Sequence, residues 1–205
     1  MKSIIALILF FLLTAVCTAQ TLPTKWNIDL NNDSVKDQIK LEFKDSTYYL
    51  NINNIIINLN SSVIQSIVDE NNRDNAIIID DIDNDKEKEI IVNVEDPIFY
   101  NKSILKIFRL RNSKIIEQPF IVDDEEGSAI VSLGKIVVYD HKNKSIYVKI
   151  GNHKVNATNN ETFFYSNIIL LKWNKSAECM VKMGEKYFEE ITHSSLNKII
   201  WDRNN

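Results

Sequence analysis

Oxygen-bearing side chains recur at one spacing in two places along the chain. Asp29, Asn31, Asp33 and Asp37 stand at positions 1, 3, 5 and 9 of one nine-residue window, and Asp81, Asp83, Asp85 and Glu89 stand at the same positions of another. A tight turn that points alternate side chains inward surrounds a single ion with hard oxygen donors. Calcium takes about six to eight such oxygens, and position 7 of a loop of this kind adds a main-chain carbonyl. Here those carbonyls belong to Val35 and Glu87. The chemistry on offer is cation binding, with Ca2+ the expected ion. Asp- and Asn-rich turns are common because these side chains hydrogen-bond their own backbone, but a solvated turn needs polarity and not alternation. The second window carries four carboxylates; the first carries three, with Asn31 substituting, so the second is expected to be the tighter site. Without a cation the crowded carboxylates repel one another, so an ion that binds only the native state stabilises it.

Catalytic constellations do not accompany these windows. The four glycines, Gly127, Gly134, Gly151 and Gly184, form neither a phosphate-cradling loop nor a nucleophile elbow. His141, His153 and His193 lie far apart without metal-ligand spacing, and read as surface or satisfied core histidines. Paired carboxylates can hydrolyse glycosides, but that work wants two differently perturbed groups in a cleft, not a ladder around one ion. The expectation is a protein that is not an enzyme. Asp123, Asp124, Glu125 and Glu126, closed by Gly127, lack alternation and read as a solvated turn in preference to a surface for a basic partner.

The elements around the windows read as strands. Short runs of Ile, Val, Tyr and Phe are punctuated by Asn, Asp and Lys, the pattern of an all-β protein. Residues 38–43 alternate polar and apolar, residues 48–59 read as two strands about Asn53-Asn54, and residues 90–94 form a mostly apolar strand. Hairpins are expected from 103–110 with 114–121, and from 135–139 with 145–150. Residues 61–68 and 185–191 have the spacing of single short helices, the second opening just after Gly184. Trp26, Trp173 and Trp201 are expected in or along the core.

At the N-terminus, Lys2, the apolar run 4–16 and the small residues Cys17-Thr18-Ala19 have the layout of a secretory signal peptide over residues 1–19. A membrane anchor needs roughly 20 apolar residues, and this run breaks at 17–20, so no stable membrane span is expected. Lipid attachment at Cys17 is the competing form of export, but Thr14-Ala15-Val16 matches a lipobox poorly. The expected location is exported, periplasmic or secreted, where calcium is available to weak extracellular-type sites. Removing 19 of 205 residues leaves 186, long enough for its own core and read as one domain over 20–205. Loss of Lys2 moves the formal charge from −4 to −5. The basic residues are scattered among carboxylates, which argues against nucleic acid. Only Cys179 then remains, so no internal disulfide can form, and it reads as a small buried apolar residue. Asn-x-Ser/Thr sequons at Asn32, Asn60, Asn101, Asn143, Asn156, Asn160 and Asn174 matter only in a glycosylating pathway and are frequent by chance in so Asn-rich a chain.

Asp29 and Asp81 are 52 residues apart, and each window opens into a strand. A period near 50 suits a four-stranded propeller blade. One further period lands at Leu133, where residues 137–146 offer strand, polar turn and strand without an acidic ladder. A complete propeller needs about four to eight blades, which favours a partial propeller or a compact β-sandwich built from hairpins.

The windows resemble the calcium loops of FG-GAP and VCBS repeats, which read D-x-[DN]-x-D-G-x-x-D before an apolar strand. Asp29, Asn31, Asp33, Asp37, Asp81, Asp83 and Asp85 match that pattern, and Glu89 keeps the carboxylate. The departure is at position 6, where the family's glycine is Ser34 in one window and Lys86 in the other. The resemblance covers about 18 of the 186 residues strongly. It implies a calcium-binding, non-catalytic β domain that binds another exported protein. In arrangement alone the chain is also similar to periplasmic calcium-binding immunity proteins that inhibit cell-wall hydrolases. A cell-surface adhesion or matrix module is the rival expectation, and a secreted hydrolase a more distant one.

Overall fold

A computed structural model describes residues 23–98, 102–122, 125–127, 130–133, 136–155 and 162–189. These residues fold entirely as strands and connecting turns, with no helix among them. The expected all-β class therefore holds. In chain order the strands are β1 (Lys25–Ile28), β2 (Asp37–Lys44), β3 (Thr47–Ile52), β4 (Ile55–Asn58), β5 (Ile64–Gln65), β6 (Ile67–Asp69), β7 (Asp74–Asn75), β8 (Ile77–Asp80) and β9 (Glu89–Glu95). They continue as β10 (Lys102–Arg111), β11 (Lys114–Gln118), β12 (Phe120–Val122), β13 (Glu125–Gly127), β14 (Ile130–Leu133), β15 (Ile136–Asp140), β16 (Ser145–Val155), β17 (Thr162–Asn174) and β18 (Cys179–Glu189).

One unit recurs three times: four consecutive strands in an antiparallel meander. It is formed by β1 to β4, by β8 to β11 and by β15 to β18. The chain's asparagines explain how the meanders turn back. Three of the hairpins close through two residues that both have positive φ, Asp45-Ser46, Asn53-Asn54 and Asn112-Ser113. That conformation matches the right-handed twist of the flanking strands, and Asn and Asp reach it more readily than other residues with a Cβ. The short strands between meanders extend the sheets. β5 and β14 join the second, while β6, β7, β12 and β13 join the third, β6 and β12 by parallel pairing.

The three sheets stack with the second in the middle. Along β9, Ile90, Val92 and Val94 pack with Ile39, Leu41, Leu50 and Ile52 of the first sheet. Ile91 points the other way, into a second cluster with Val137, Tyr139, Ile146, Val148, Ile169 and Leu171 of the third. Period-2 alternation thus serves two cores at once, which is why β9 is apolar at 90, 91, 92 and 94 with only Asn93 between them. Trp26 and Trp173 are half-buried against these clusters, and Cys179 is buried.

The two expected helices are strands. Ile64 and Gln65 pair with β9 in the second sheet, and Ile67 to Asp69 pair with β15 in the third, so the chain crosses between sheets at Ser66. Residues 185–189 continue β18, which runs through Gly184 beside a register shift at Leu170/Leu171; residues 190 and 191 lie outside the described residues. Glu125 and Glu126 are also in a strand, β13 paired with β12, and not in a free turn; Asp123 and Asp124 are outside the described residues. So are the expected signal segment 1–19 with Cys17, His193 and Trp201. No helix of the described residues is long and apolar enough to cross a membrane.

Candidate metal centre

The two acidic windows occupy the same place in successive meanders. Residues 29–36, here loop 1, join β1 to β2, and residues 81–88, loop 2, join β8 to β9; Asp37 and Glu89 at position 9 are the first residues of the following strands. Within each loop one set of hydrogen bonds is repeated. The position-1 carboxylate accepts from the backbone N–H groups of positions 5 and 6: Asp29 from Asp33 and Ser34 at 3.2 and 2.8 Å, Asp81 from Asp85 and Lys86 at 3.1 and 3.0 Å. The position-5 carboxylate accepts from the N–H of position 7, Asp33 from Val35 at 2.7 Å and Asp85 from Glu87 at 2.8 Å. At position 9, Asp37 accepts from Leu30 N at 2.8 Å and Glu89 from Ile82 N at 3.0 Å. The position-2 residues, Leu30 and Ile82, are both buried and anchor the loops to the core. Positions 4 and 6 have positive φ in both loops, Asn32 at 57° and Ser34 at 70°, Asn84 at 61° and Lys86 at 80°. The left-handed turn residue that glycine would relieve is therefore present at position 6, occupied by residues that carry a Cβ.

In loop 2, Asp81, Asp83 and Glu89 offer carboxylate oxygens that all lie within 4.8 Å of one another, a group able to hold a metal ion. No other trio of histidine, cysteine or carboxylate side chains is so arranged among the described residues. Asp85 stands at the rim of the group. Loop 1 brings Asp29, Asp33 and Asp37 onto the same scaffold, with Asn31 Nδ2 donating to Asp33 at 3.0 Å. Asn31 Oδ1 is shielded from solvent and accepts no hydrogen bond, and Glu87 Oε2 in loop 2 is in the same condition. Val35 is exposed at the outer edge of loop 1. The loops touch directly, since Lys88 N donates to Leu30 O at 2.6 Å.

A residue that the windows do not contain completes loop 2. Arg109 of β10 lies opposite Glu89 in the strand register, and its guanidinium enters the loop. Nε donates to Glu89 Oε1 at 2.7 Å, Nη1 lies 3.3 Å from Asp85, and Nη2 contacts both Glu89, at 2.5 Å, and Asp83. Burial pushes the Glu89 carboxyl up to about 7, against the pull of Ile82 N–H and Arg109. Burial also opposes ionisation of Asp83, but the bond and charge of Arg109 win there and hold that carboxyl below its ordinary value. Asp83 and Glu89 in turn keep Arg109 firmly protonated despite its burial. The Trp173 ring lies 5.4 Å from the guanidinium carbon. In the first meander the corresponding partner is neutral, Asn53 Nδ2 donating to Asp37 Oδ1 at 2.6 Å.

Beside loop 2 is a second charged group that spacing along the chain does not reveal. Asp80 accepts from Tyr139 Oη and His141 Nδ1, both at 2.9 Å, and from Lys144 Nζ at 2.6 Å. Burial raises the Asp80 carboxyl, but those three donors more than offset it and bring it to about 2. The bond to Asp80 raises His141 in turn, with burial opposing and Glu70 assisting. The third meander holds only this short polar turn, His141 to Lys144, where the others hold an acidic loop. Nothing in the sequence sets Arg109 apart from the other basic residues of β10, Lys106 and Arg111 among them. His153 falls in β16, away from that turn. No protein-family model, no curated protein and no solved structure matches this chain.

Proposed function

We propose that the protein is an exported, calcium-stabilised β domain that works by binding another protein and not by catalysis. The observation that carries this reading is the duplicated loop: two segments of different sequence share the same hydrogen bonds and the same two positive-φ positions, and loop 2 gathers three carboxylates into one group. Such a scaffold is built to present oxygens and not merely to reverse the chain. The donor set consists of hard oxygens, with no imidazole or thiolate among Asp81, Asp83 and Glu89. That composition selects calcium, magnesium or manganese over zinc or copper. The flexible, many-oxygen shell of a loop suits calcium better than the strict octahedron of magnesium. Asn31 Oδ1, buried without a donor, is the kind of oxygen a cation at loop 1 would satisfy. Calcium would be held by side chains of Asp29, Asn31, Asp33 and Asp37 in loop 1 and of Asp81, Asp83, Asp85 and Glu89 in loop 2, with the carbonyls of Val35 and Glu87.

The partner class that the resemblance in arrangement suggests is a cell-wall hydrolase, with a cell-surface or matrix component as the alternative. Isothermal calorimetry and thermal melting with and without calcium, on the wild type and on Asp29→Ala and Asp81→Ala, test the metal. Saturable binding and a raised Tm that the substitutions diminish support the reading; an unchanged Tm and no heat of binding sink it. A pull-down from envelope extract in calcium, followed by an inhibition assay, tests the partner. Recovery of adhesins or matrix components without a hydrolase would move the role to adhesion.

A further inference from the structure

The two loops differ in what meets their ninth position. Asp37 is met by the uncharged amide of Asn53, whereas Glu89 is met by the guanidinium of Arg109, which also touches Asp83 and Asp85. We propose that Arg109 is a built-in competitor for the cation of loop 2. Its positive charge serves the same oxygens that a metal requires, so loop 2 closes without an ion and a divalent ion must displace the guanidinium to enter. The inference rests on reading the loops as calcium sites and concerns how one of them is regulated.

The contested oxygens are specific. Asp83 and Glu89 belong to the carboxylate group that can hold a metal, and both bond to Nη2 of Arg109. Calcium seats its ligands at about 2.3 to 2.6 Å, so an ion sharing those oxygens would lie against a like charge. Arg109 is not a loosely tethered surface group. It is 6% exposed, fixed by the β9 to β10 register and covered by the Trp173 ring, so moving it disrupts packing as well as ion pairs. Among the described residues, no lysine, arginine or histidine forms an ion pair with Asp29, Asp33 or Asp37. The order of filling expected from counting carboxylates is thereby inverted: loop 1, with three, takes calcium before loop 2, with four.

The test is calcium titration by calorimetry of the wild type, Asp29→Asn, Asp83→Asn, Arg109→Gln and the double variant Arg109→Gln/Asp83→Asn. Removing the guanidinium is expected to tighten loop 2 by about tenfold or more, and adding Asp83→Asn to abolish the gain. An Arg109→Gln protein whose loop 2 affinity is unchanged or weaker overturns the proposal. Should Arg109→Gln fail to fold, the single variants decide. The proposal requires the tight step of the wild-type titration to vanish in Asp29→Asn and survive in Asp83→Asn, and the reverse pattern overturns it. Calcium uptake by Arg109→Gln alone upholds the competitor and removes calcium from the native protein's function. Uptake by neither protein overturns both.

Discussion

Ser34 and Lys86 stand where a left-handed backbone, at φ of 70° and 80°, is forced on residues with a Cβ. Glycine adopts that conformation without steric cost, though it loses more freedom on folding. Lys86→Gly is therefore expected to raise stability by about 0.5 to 1 kcal/mol, read as an upward shift of the denaturant midpoint at unchanged slope. A fall in the midpoint would mean that the lysine side chain makes a contact worth more than the strain. This residue-scale feature was legible because position 6 can be counted from Asp29 and Asp81. Arg109 was not, since its place in loop 2 depends on the register between β9 and β10, and a register leaves no mark at a fixed distance along the chain. The bond from Asn53 to Asp37 was hidden for the same reason.

Among the elements, β9 packs on both faces, as its neighbours β8 and β10 also do. Ile91, fully buried toward the third sheet, and Ile90, buried toward the first, leave cavities on either side when truncated. Each Ile→Ala change is expected to cost about 2 to 5 kcal/mol in equilibrium unfolding; a loss well below that range would show that the two cores collapse onto the gap. The turn of the third meander is held to β8 by a titrating clamp. Asp80 has a depressed carboxyl, about 2 against 3.8, so its contribution is present above pH 3.8 and disappears as the pH falls through about 2. His141 is raised above 6.5, so its contribution is complete below 6.5 and fades as the pH climbs through its higher native value. Melting followed across pH should show both limbs on top of the loss from pH 4.5 to about 7 that the raised Glu89 carboxyl brings; the His141 share of the alkaline fall goes in His141→Asn, and both limbs weaken in Asp80→Asn. A His141→Asn profile identical to wild type would remove the clamp.

The strand pattern was legible wherever one face is solvated, as in β2, where Asp37, Ile39 and Leu41 are buried between more exposed neighbours. It misled where a chain segment serves two sheets. Ile64, Ile67 and Val68 have helical spacing, yet they belong to β5 and β6 in different sheets. Gly184, just before the expected helix over 185–191, sits beside the register shift within β18, a common place for glycine in a strand.

For the molecule as a whole, the 52-residue repeat marked two acidic loops that open into strands, and left open whether the repeat decays or stops at 137–146, where the structure has a third meander. The parallel additions of β6 and β12 were beyond it, because such pairings join segments far apart in sequence. A stack of three sheets with one interior member should open from its outside inward. Amide hydrogen exchange is expected to be slowest in β9 and in the adjoining half of β10, and fastest in β1 and β4 at the two edges of the first sheet. Slowest exchange in the first sheet would contradict the stacking order as the basis of stability.

The single hydrogen bond from Lys88 to Leu30 gives the stack a further property. Leu30 lies inside loop 1 and Lys88 at the end of loop 2, so neither loop can change its backbone without pulling on the other. On the proposed reading, an ion that ordered one loop would spare the other part of its ordering entropy, and the coupling would be reciprocal. Were both loops to take ions as proposed, the shared bond would make the two fillings interdependent, and the protein would respond to how many ions are bound and not to the first alone.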